Sequence, residues 1–328
     1  MAMLTRSFIS VLIAALISYS ETAPSPKSTI TCPITLDGRV SQNSTLETFD
    51  TAASSFNPGY TKGQNLTYFL ARILILHPKA SRQTRQLLTR PLPGSQILRF
   101  TSVSPSKFDV PANKALEVTI SDASIFVPGG GQQQVGFRRA GLLLGNGSDA
   151  SNFGVQTYHW SVMQPQDKKR RMNLTHEYMN VWHETNDYSS NHFSLNAGVM
   201  LEQDKPKEGN VTTTMLDGRL WKILDRKNNV MWATTIDWEE WQNFAIMLDY
   251  EKNTIQVFYS TRYDKLKAVT EALPNDNTGG GQYQIGVLKK PTETESVVFD
   301  GYQESNIDEG QIYGGIFIES SEKECISM

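Results

Sequence analysis

Hydrophobic and polar residues alternate along several short stretches of this chain, a pattern typical of strands with one buried face. The clearest stretches are Ala115–Ile120, Gly154–Val162, His192–Asn196, Phe244–Asp249 and Thr254–Tyr259. Successive side chains on a strand point to opposite faces of the sheet, so a period of two residues predicts β-strands. The pattern therefore predicts an all-β protein built as a sandwich.

The clearest supersecondary element is a hairpin formed by Trp241–Tyr250, a polar turn at Glu251–Asn253, and Thr254–Tyr259. Its predicted core-facing residues are Phe244, Ile246 and Leu248 on the first strand and Ile255, Val257 and Tyr259 on the second. This hairpin resembles those of concanavalin-type jelly rolls, in which a concave sheet holds an extended glycan. We expect a single jelly-roll domain, because no long Pro/Ser/Thr-rich linker divides the chain.

The first residues of the chain have the architecture of a secretory signal peptide. Arg6 precedes the apolar run Phe8–Ile17, and small and polar residues follow it. The run is too short for a membrane anchor, and no later segment has enough consecutive apolar residues to span a bilayer. We expect residues 1–22 to be the signal and residues 23–328 to form a secreted domain that does not associate with membranes.

Cysteine and sequon usage agree with secretion. The only two cysteines, Cys32 and Cys325, bracket the mature chain, and in an oxidising compartment they predict one disulfide. Predicted N-glycosylation sites are Asn43, Asn65, Asn146, Asn173 and Asn210. The net charge of −3 argues against nucleic acid, whose recognition needs a basic surface, and leaves neutral polymers as partners.

One segment, Phe69–Gly94, does not follow the strand pattern. It contains five basic residues and no acidic residue, and neither strand alternation nor helix capping is evident in it. One interpretation is a basic surface helix.

From Cys32 onward the chain resembles glycoside hydrolase family 131, the secreted fungal β-glucanases. The matching segments are Asp37–Arg39, Tyr60–Thr67, Phe137–Ala140, Asn173–Tyr178, Ile236–Trp241, Gly286–Pro291 and Asp300–Ser305. Each segment is weak evidence alone, but together they cover nearly the whole mature chain. The resemblance implies a jelly roll and the inverting hydrolysis of β-1,3-, β-1,4- or β-1,6-linked glucans. In relatives, Asn65–Thr67 leads almost directly into a segment like Ser95–Phe100, so residues 69–94 look like an insertion, and we hypothesise a retained intron.

Glycoside hydrolysis with inversion needs one carboxyl group as acid and another as base. The resemblance implies that Glu177 is one of these groups. It places the second carboxylate after Phe137–Ala140, at the position that Gly141 occupies here. Glu117, Asp122 and Glu184 are alternative carboxylates. Strand alternation predicts that Met179, Val181 and His183 share the face of Glu177.

Five further residues are candidates for contact with the sugar chain. Arg139 shares strand parity with Gly141, so its guanidinium is a candidate donor to sugar hydroxyls. His159 and Trp160 lie on a predicted strand, and Gln284 and Lys289 lie on a segment that resembles an inner strand of related jelly rolls. Most of the six tryptophans are expected in the core.

No cofactor is expected, because the histidine spacing does not indicate a catalytic metal; a structural calcium site stays open. The partner predicted for this chain is a β-glucan, and we expect a monomer. Two alternatives to a hydrolase stay open. One is a lectin-like glucan-binding jelly roll whose turnover is impaired by Gly141. The other is a polysaccharide lyase, which would need a basic site and a proton-abstracting Tyr or His.

Overall fold

The computed structural model describes residues 30–58, 97–128, 132–145, 150–205 and 213–328. The predicted signal peptide, residues 69–94, and the sequons at Asn65, Asn146 and Asn210 lie outside these ranges. Within them the chain consists of strands, loops and short 3₁₀ helices. These helices are Leu46–Asp50, Ala150–Asn152, Lys168–Arg170, Glu202–Asp204, Thr213–Leu216 and Glu322–Glu324.

The strands form two antiparallel sheets, and the larger one, the back sheet, has nine strands. They are β1 (Ile34–Asp37), β2 (Leu98–Phe100), β3 (Leu116–Ser121), β5 (Val155–Met163), β10 (Gln242–Asp249), β11 (Thr254–Thr261), β12 (Lys267–Ala268), β13 (Leu273–Pro274) and β15 (Asp308–Ser320). The sheet runs in the order β12-β11-β10-β5-β15-β3-β2, with β1 on β15 and β13 on β11.

The smaller sheet, the front sheet, has six strands. They are β4 (Arg138–Leu143), β6 (Glu177–Thr185), β7 (Asn191–Gly198), β8 (Leu220–Asp225), β9 (Val230–Thr235) and β14 (Gly281–Lys289). Their order in the sheet is β4-β14-β6-β7-β8-β9. The two sheets confirm the all-β jelly-roll prediction, and the order brings strands that are distant in sequence side by side.

The predicted hairpin is present with the predicted faces. In the register of β10 and β11, Phe244 lies opposite Tyr259, Ile246 opposite Val257, and Leu248 opposite Ile255. The five aliphatic and phenylalanine side chains of these pairs are buried in the main core, and Tyr259 packs against it. The polar turn at Glu251–Asn253 is left outside the two strands.

The core lies between the sheets and is rich in aromatic rings. Trp160 of β5 is fully buried and stacks between Phe193 of the front sheet and Phe244 of the back sheet, with ring centroids 5.9 and 5.6 Å away. Its place is therefore structural, because a side chain that fills the space between the sheets does not reach a bound polysaccharide.

Strand β6 is not regular, and the irregularity changes which residues face the core. Its register shifts against β7 between Met179 and Val181 and again between Trp182 and Glu184. Val181 packs in the core, and the ring of His183 lies 5.8 Å from that of Phe193. The prediction that Val181 and His183 share the face of Glu177 was therefore wrong, because the extra residue of β6 between Met179 and Val181 shifts its alternation by one position.

The disulfide between Cys32 and Cys325 is present and joins residues 293 positions apart. It lies beside Ser327, whose hydroxyl donates to Glu319 and accepts from the backbone amide of Thr31. Of the described sequons, Asn43 is exposed, whereas Asn173 is partly buried and its Nδ2 donates to Glu304 at 2.9 Å. Glycosylation at either position stays a prediction. Within the described ranges, no helix has both the length and the apolar character needed to cross a membrane.

Candidate active site

The side of the front sheet that points away from the core, which we call the front face, carries most of the predicted site. Ala140 and Leu142 of β4 pack in the core, so Arg139 and Gly141, which alternate with them, lie on the front face. On β14, Gln284 lies between the core residues Tyr283 and Ile285. Strand alternation thus brings Arg139, Gly141 and Gln284 onto one surface, as the sequence predicted.

Arg139, Gln284 and Glu184 form a connected polar row on this face. The Nη2 of Arg139 donates to Gln284 Oε1 at 3.3 Å, and Gln284 Nε2 donates to Glu184 Oε2 at 2.7 Å. Arg139 also lies 4.0 Å from the Glu184 carboxylate, and its guanidinium stacks 5.2 Å from the ring of Trp182. Burial lowers the pKa of Arg139, and the charge of Glu184 opposes that shift.

Trp182 packs directly over Gly141. A Cβ atom at position 141 would lie 3.2 Å from Trp182 Cη2 and 3.3 Å from the carbonyl oxygen of Ile285. Both contacts are tight, so any side chain here requires the indole to move by a few tenths of an ångström. A side chain at position 141 would thus be in contact with the Trp182 ring from its Cβ atom onward.

Glu177 begins β6 and lies on the front face, because the next residue, Tyr178, packs in the core. Its carboxylate is fully buried and accepts three hydrogen bonds: 3.0 Å from Asn196 Nδ2, 2.7 Å from Lys290 Nζ and 2.9 Å from the amide of Leu201. All three partners are donors, which is the set of partners that an ionised carboxylate accepts.

Two lysines flank Glu177. Lys290 also contacts Asp204 Oδ2 at 2.9 Å. Burial alone would lower the pKa of Lys290, but the carboxylates of Glu177 and Asp204 outweigh burial, so its pKa is raised. Lys222 donates to the carbonyl of Gly198 at 2.9 Å, and burial lowers its pKa to about 8 against the opposing charge of Glu177.

Lys289 was predicted to contact the sugar chain, but the lysine beside Glu177 in the structure is Lys290. Strand β14 pairs with β4 without a register shift, so Lys289 shares strand parity with the core residues Ile285 and Val287 and points toward the back sheet. There it is fully buried and pairs with Glu309 at 2.6 Å and with Glu304. Lys290 shares strand parity with Gln284, so regular alternation from Gln284 favours Lys290 over Lys289 for the front face.

His159 is likewise not part of the front face. It lies on the back sheet, fully buried, with its Nε2 2.9 Å from Glu319 and its ring stacked on Phe317 at 4.2 Å. Three predicted cleft residues therefore do not lie beside Glu177 in the structure: His159 on the back sheet, Trp160 in the core and Lys289 between the sheets.

Among the described residues, no group of three or more His, Cys, Asp or Glu side chains is placed to hold a metal ion.

A family model described as the glycoside hydrolase 131 catalytic N-terminal domain matches residues 34–324. The chain belongs to glycoside hydrolase family 131. Membership makes it a glycoside hydrolase, as its sequence motifs predicted.

Two solved family 131 catalytic domains share this fold. The β-glucanase domain from Podospora anserina is 19% identical with a TM-score of 0.53 over 70% of this chain and 81% of that chain. The domain from Coprinopsis cinerea is 17% identical with a TM-score of 0.59 over 90% of this chain and 97% of that one. No curated protein sequence matches the chain.

In this family 131 domain, position 141 lies at a suitable distance from Glu177 for a second carboxylate. Gly141 pairs with Gly286 of β14, and Lys289 of β14 pairs with Tyr178. Glu177 precedes Tyr178, so two strand spacings across and about four residues along give a Cα separation on the order of 16 Å. Glutamate side chains extended toward each other from that separation would approach the range of about 6.5 to 9.5 Å that inversion needs.

The alternative carboxylates lie far along the strand from Glu177 or are already paired with other residues. Glu184 lies seven residues along β6 from Glu177, about 20 Å away. Glu117 is buried on β3 and pairs with Arg170, and Asp122 accepts from the amides of Asn306 and Ile307. None of them replaces a side chain at Gly141, so the roles of Gly141 and Glu177 stay predictions that the geometry permits.

Proposed function

We propose that this family 131 protein is secreted as a monomer and acts on β-glucan chains, hydrolysing β-1,3-, β-1,4- or β-1,6-linkages with inversion at the anomeric carbon. The observation that carries the proposal is a set of unpaired polar atoms on the front face. Arg139 Nε, Trp182 Nε1 and Asn196 Oδ1 are buried and have no hydrogen-bond partner among the described residues. Buried polar groups without partners are costly, and sugar hydroxyls can both donate to and accept from such atoms.

An open pocket close to Glu177 supports the same proposal. The Leu201 residue whose amide donates to Glu177 also lines an open pocket of about 660 Å³, together with Thr294 and Asp300. Lys290 and Asp204, which lie next to Glu177, are partly exposed. A glucan chain entering this pocket would approach Glu177 at the start of β6.

Glu177 fits the role of the base in an inverting reaction. A carboxylate held by three donors and flanked by Lys290 and Lys222 can accept a proton from a water molecule that attacks the anomeric carbon. The acid that protonates the departing oxygen would come from position 141, where glycine supplies no carboxyl group. Loss of one such group removes about 10² to 10⁴ in rate, so we infer slow turnover.

Glucan binding without turnover is the second candidate function. The packing of Trp182 onto Gly141 favours it, because the acid is absent and an aromatic ring lies against its position. Residue 141 is then part of a binding groove rather than of a catalytic pair.

The test is sugar release from laminarin, barley mixed-linkage glucan and cellulose by the parent protein, Glu177→Gln and Glu184→Gln. Release that Glu177→Gln abolishes and Glu184→Gln retains supports hydrolysis through Glu177. Binding of these glucans without release supports the second candidate. An unsaturated product detected by ultraviolet absorbance would instead indicate a lyase, and an absence of both binding and release would contradict the proposal.

A further inference from the structure

A second open pocket lies at the edge of the sandwich, away from the polar row of the front face. It has a volume of about 510 Å³, and its lining includes Thr235 at the end of β9, Gln242 at the start of β10, Tyr259 of β11 and the loop residue Trp238. Strand β9 ends the front sheet, so this pocket is at the opposite edge of that sheet from β4.

Two aromatic side chains line the pocket, and each is held by neighbours. The guanidinium of Arg171 lies 5.0 Å from the ring of Trp238 and donates to its carbonyl oxygen at 3.2 Å. The ring of Tyr259 packs 4.8 Å from Trp232. Trp238 is only partly buried, so it offers a fixed aromatic surface at low conformational cost.

Gln242 fixes the floor of the pocket. Its Oε1 accepts from Trp221 Nε1 at 2.9 Å and from the amide of Asp237 at 2.8 Å. Its Nε2 donates to the carbonyl of Thr235 at 2.9 Å and to the hydroxyl of Tyr259 at 2.7 Å. Four hydrogen bonds from one buried side chain hold this arrangement in place before any ligand binds.

The polar groups around the aromatics suit hydroxyl groups. Asp237 Oδ1 accepts from the amides of Glu239 and Glu240, and its second oxygen makes no hydrogen bond to any described residue. The carboxylate of Glu239 is 66% exposed and pairs with Arg171 at 3.1 Å. Since Glu239 balances Arg171, Asp237 leaves the pocket with a net negative charge, which disfavours polyuronates.

We propose that this pocket, which we call the Trp238 site, is a second binding site for neutral glucan chains. An aromatic surface beside hydroxyl acceptors is the combination that a pyranose ring needs, with its C–H groups on the ring and its hydroxyls on the rim. The proposal shares the substrate class of the proposed function but uses none of its catalytic residues.

The Trp238 site lies close enough to Glu177 for one long glucan chain to reach both. Glu177 pairs with Gly198 of β7, and Leu220 of β8 pairs with Thr235. Three strand spacings therefore separate Glu177 from Thr235, about 14 Å. A long glucan held at the Trp238 site keeps other parts of the same chain close to Glu177, which raises their local concentration.

Fluorine NMR of protein labelled with 5-fluorotryptophan tests the site directly. The chain has six tryptophans, and Trp238→Phe identifies the Trp238 resonance by its loss. Titration with laminarihexaose or cellohexaose should move that resonance, and an alginate oligomer of similar length should not. A Trp238 resonance that neither hexasaccharide moves would overturn the proposal.

The Trp182 resonance, assigned with Trp182→Phe or by elimination from the other five, reports on the front face. A shift at Trp182 without one at Trp238 would overturn the second site and leave the proposed function intact. A shift at Trp238 alone would support the site while the proposed function loses support. The two proposals therefore fail separately.

Affinity electrophoresis in gels containing laminarin gives a second measurement. Trp238→Ala should weaken retardation, with an apparent Kd for laminarin that is about fivefold higher or more, since an aromatic contact of this kind contributes about 1 kcal/mol. Tyr263→Ala, at a residue 43% exposed elsewhere on the surface, is the matched control and should leave retardation unchanged. Equal retardation of the two variants would contradict the Trp238 site.

Discussion

Lys290 determines the environment of Glu177 more than any other described residue. It is the one cation in direct contact with that buried carboxylate among the described residues, at 2.7 Å, and it also holds Asp204 at 2.9 Å. Removing one partner of a buried ion pair leaves the other charge uncompensated, which costs more than the pair itself contributes.

We therefore expect Lys290→Met to lower the free energy of unfolding by about 3 kcal/mol, as measured by urea denaturation. The double variant Lys290→Met/Glu177→Gln should cost at least about 1 kcal/mol less than the sum of the single variants, because it removes the unpaired charge as well. Lys205→Met breaks a surface pair with Glu202, whose side chain is 85% exposed, and should change stability by less than about 0.5 kcal/mol. Similar losses in Lys290→Met and Lys205→Met would contradict this account.

At the residue scale, the sequence identified Glu177 and Arg139 by motif and parity but did not identify Lys290, Lys222 or Asn196. These three reach Glu177 through pairings between β6, β7, β8 and the end of β14. Spacing within one strand carries no information about which strand lies beside it. The partners of Glu177 were therefore not predictable from its own strand, and the catalytic role that its motif suggests stays a prediction.

At the scale of single elements, the backbone at the start of β6 depends on Gly198 of the neighbouring strand β7. It ends β7 opposite Glu177 with a φ of +78°, and a Cβ there would lie 1.8 Å from the carbonyl oxygen of His176. Glycine is required for both reasons, since side chains disfavour positive φ and the backbone approaches too closely for any substituent.

Gly198→Ala should destabilise the protein by about 3 kcal/mol or more, measured as the shift in urea midpoint. Gly279→Ala is the matched control, because Gly279 has a φ of +97° but no atom within 4 Å of its Cβ position. That variant should lose only about 1 kcal/mol, the cost of the backbone conformation alone. If the two alanine variants were equally stable, close approach at Gly198 would not be the cause.

The regular hairpin was predicted well, whereas the faces of the bulged strand β6 were not. The hairpin of β10 and β11 follows a regular register, so its buried residues were read correctly from period two. In β6 the register shift between Met179 and Val181 reverses the faces, which turned Val181 and His183 inward. In β14 the faces alternate regularly, and Lys289 points inward because it shares parity with the core residues Ile285 and Val287. A bulge adds a residue without any distinctive letter in the sequence, so pattern analysis could not locate it.

At the scale of the whole molecule, a buried histidine pair couples stability to pH. The Nδ1 atoms of His183 and His192 are 2.8 Å apart, which requires at least one neutral ring. Burial, and then the neighbouring His192, lower the pKa of His183 well below its usual value. Burial is also the main cause of the lowered pKa of His192.

Because both pKa values are lower when folded, the unfolded chain binds more protons than the native state at pH values just below about 6.5. Stability should therefore be complete above about pH 6.5 and fall with decreasing pH, by at most about 1.4 kcal/mol per pH unit for each histidine. Urea denaturation at pH 7.5, 6.5 and 5.5 measures this dependence. His192→Asn should flatten it, and an unchanged slope in that variant would exclude the pair as its cause.

The sandwich class and the terminal disulfide were predictable because they depend on periodicity and on the only two cysteines. The order of strands was not, since β5 pairs with β10 and β15, which lie far along the chain. The motifs predicted the residues of the front face as a site. The packing of Trp182 on Gly141 was not predicted, because it depends on pairings between strands that are distant in sequence.

The central claim is that the missing carboxyl group at position 141 limits turnover, and one comparison of rates tests it. Reducing-sugar release from the preferred glucan is measured for the parent, Gly141→Glu, Gly141→Gln and Gly141→Glu/Trp182→Phe. We expect the glutamate variants, and the double variant most clearly because its smaller ring makes room, to exceed the parent by about 10² to 10⁴, while Gly141→Gln stays at the parent level. Folded, glucan-binding glutamate variants that are no faster than Gly141→Gln would contradict the claim.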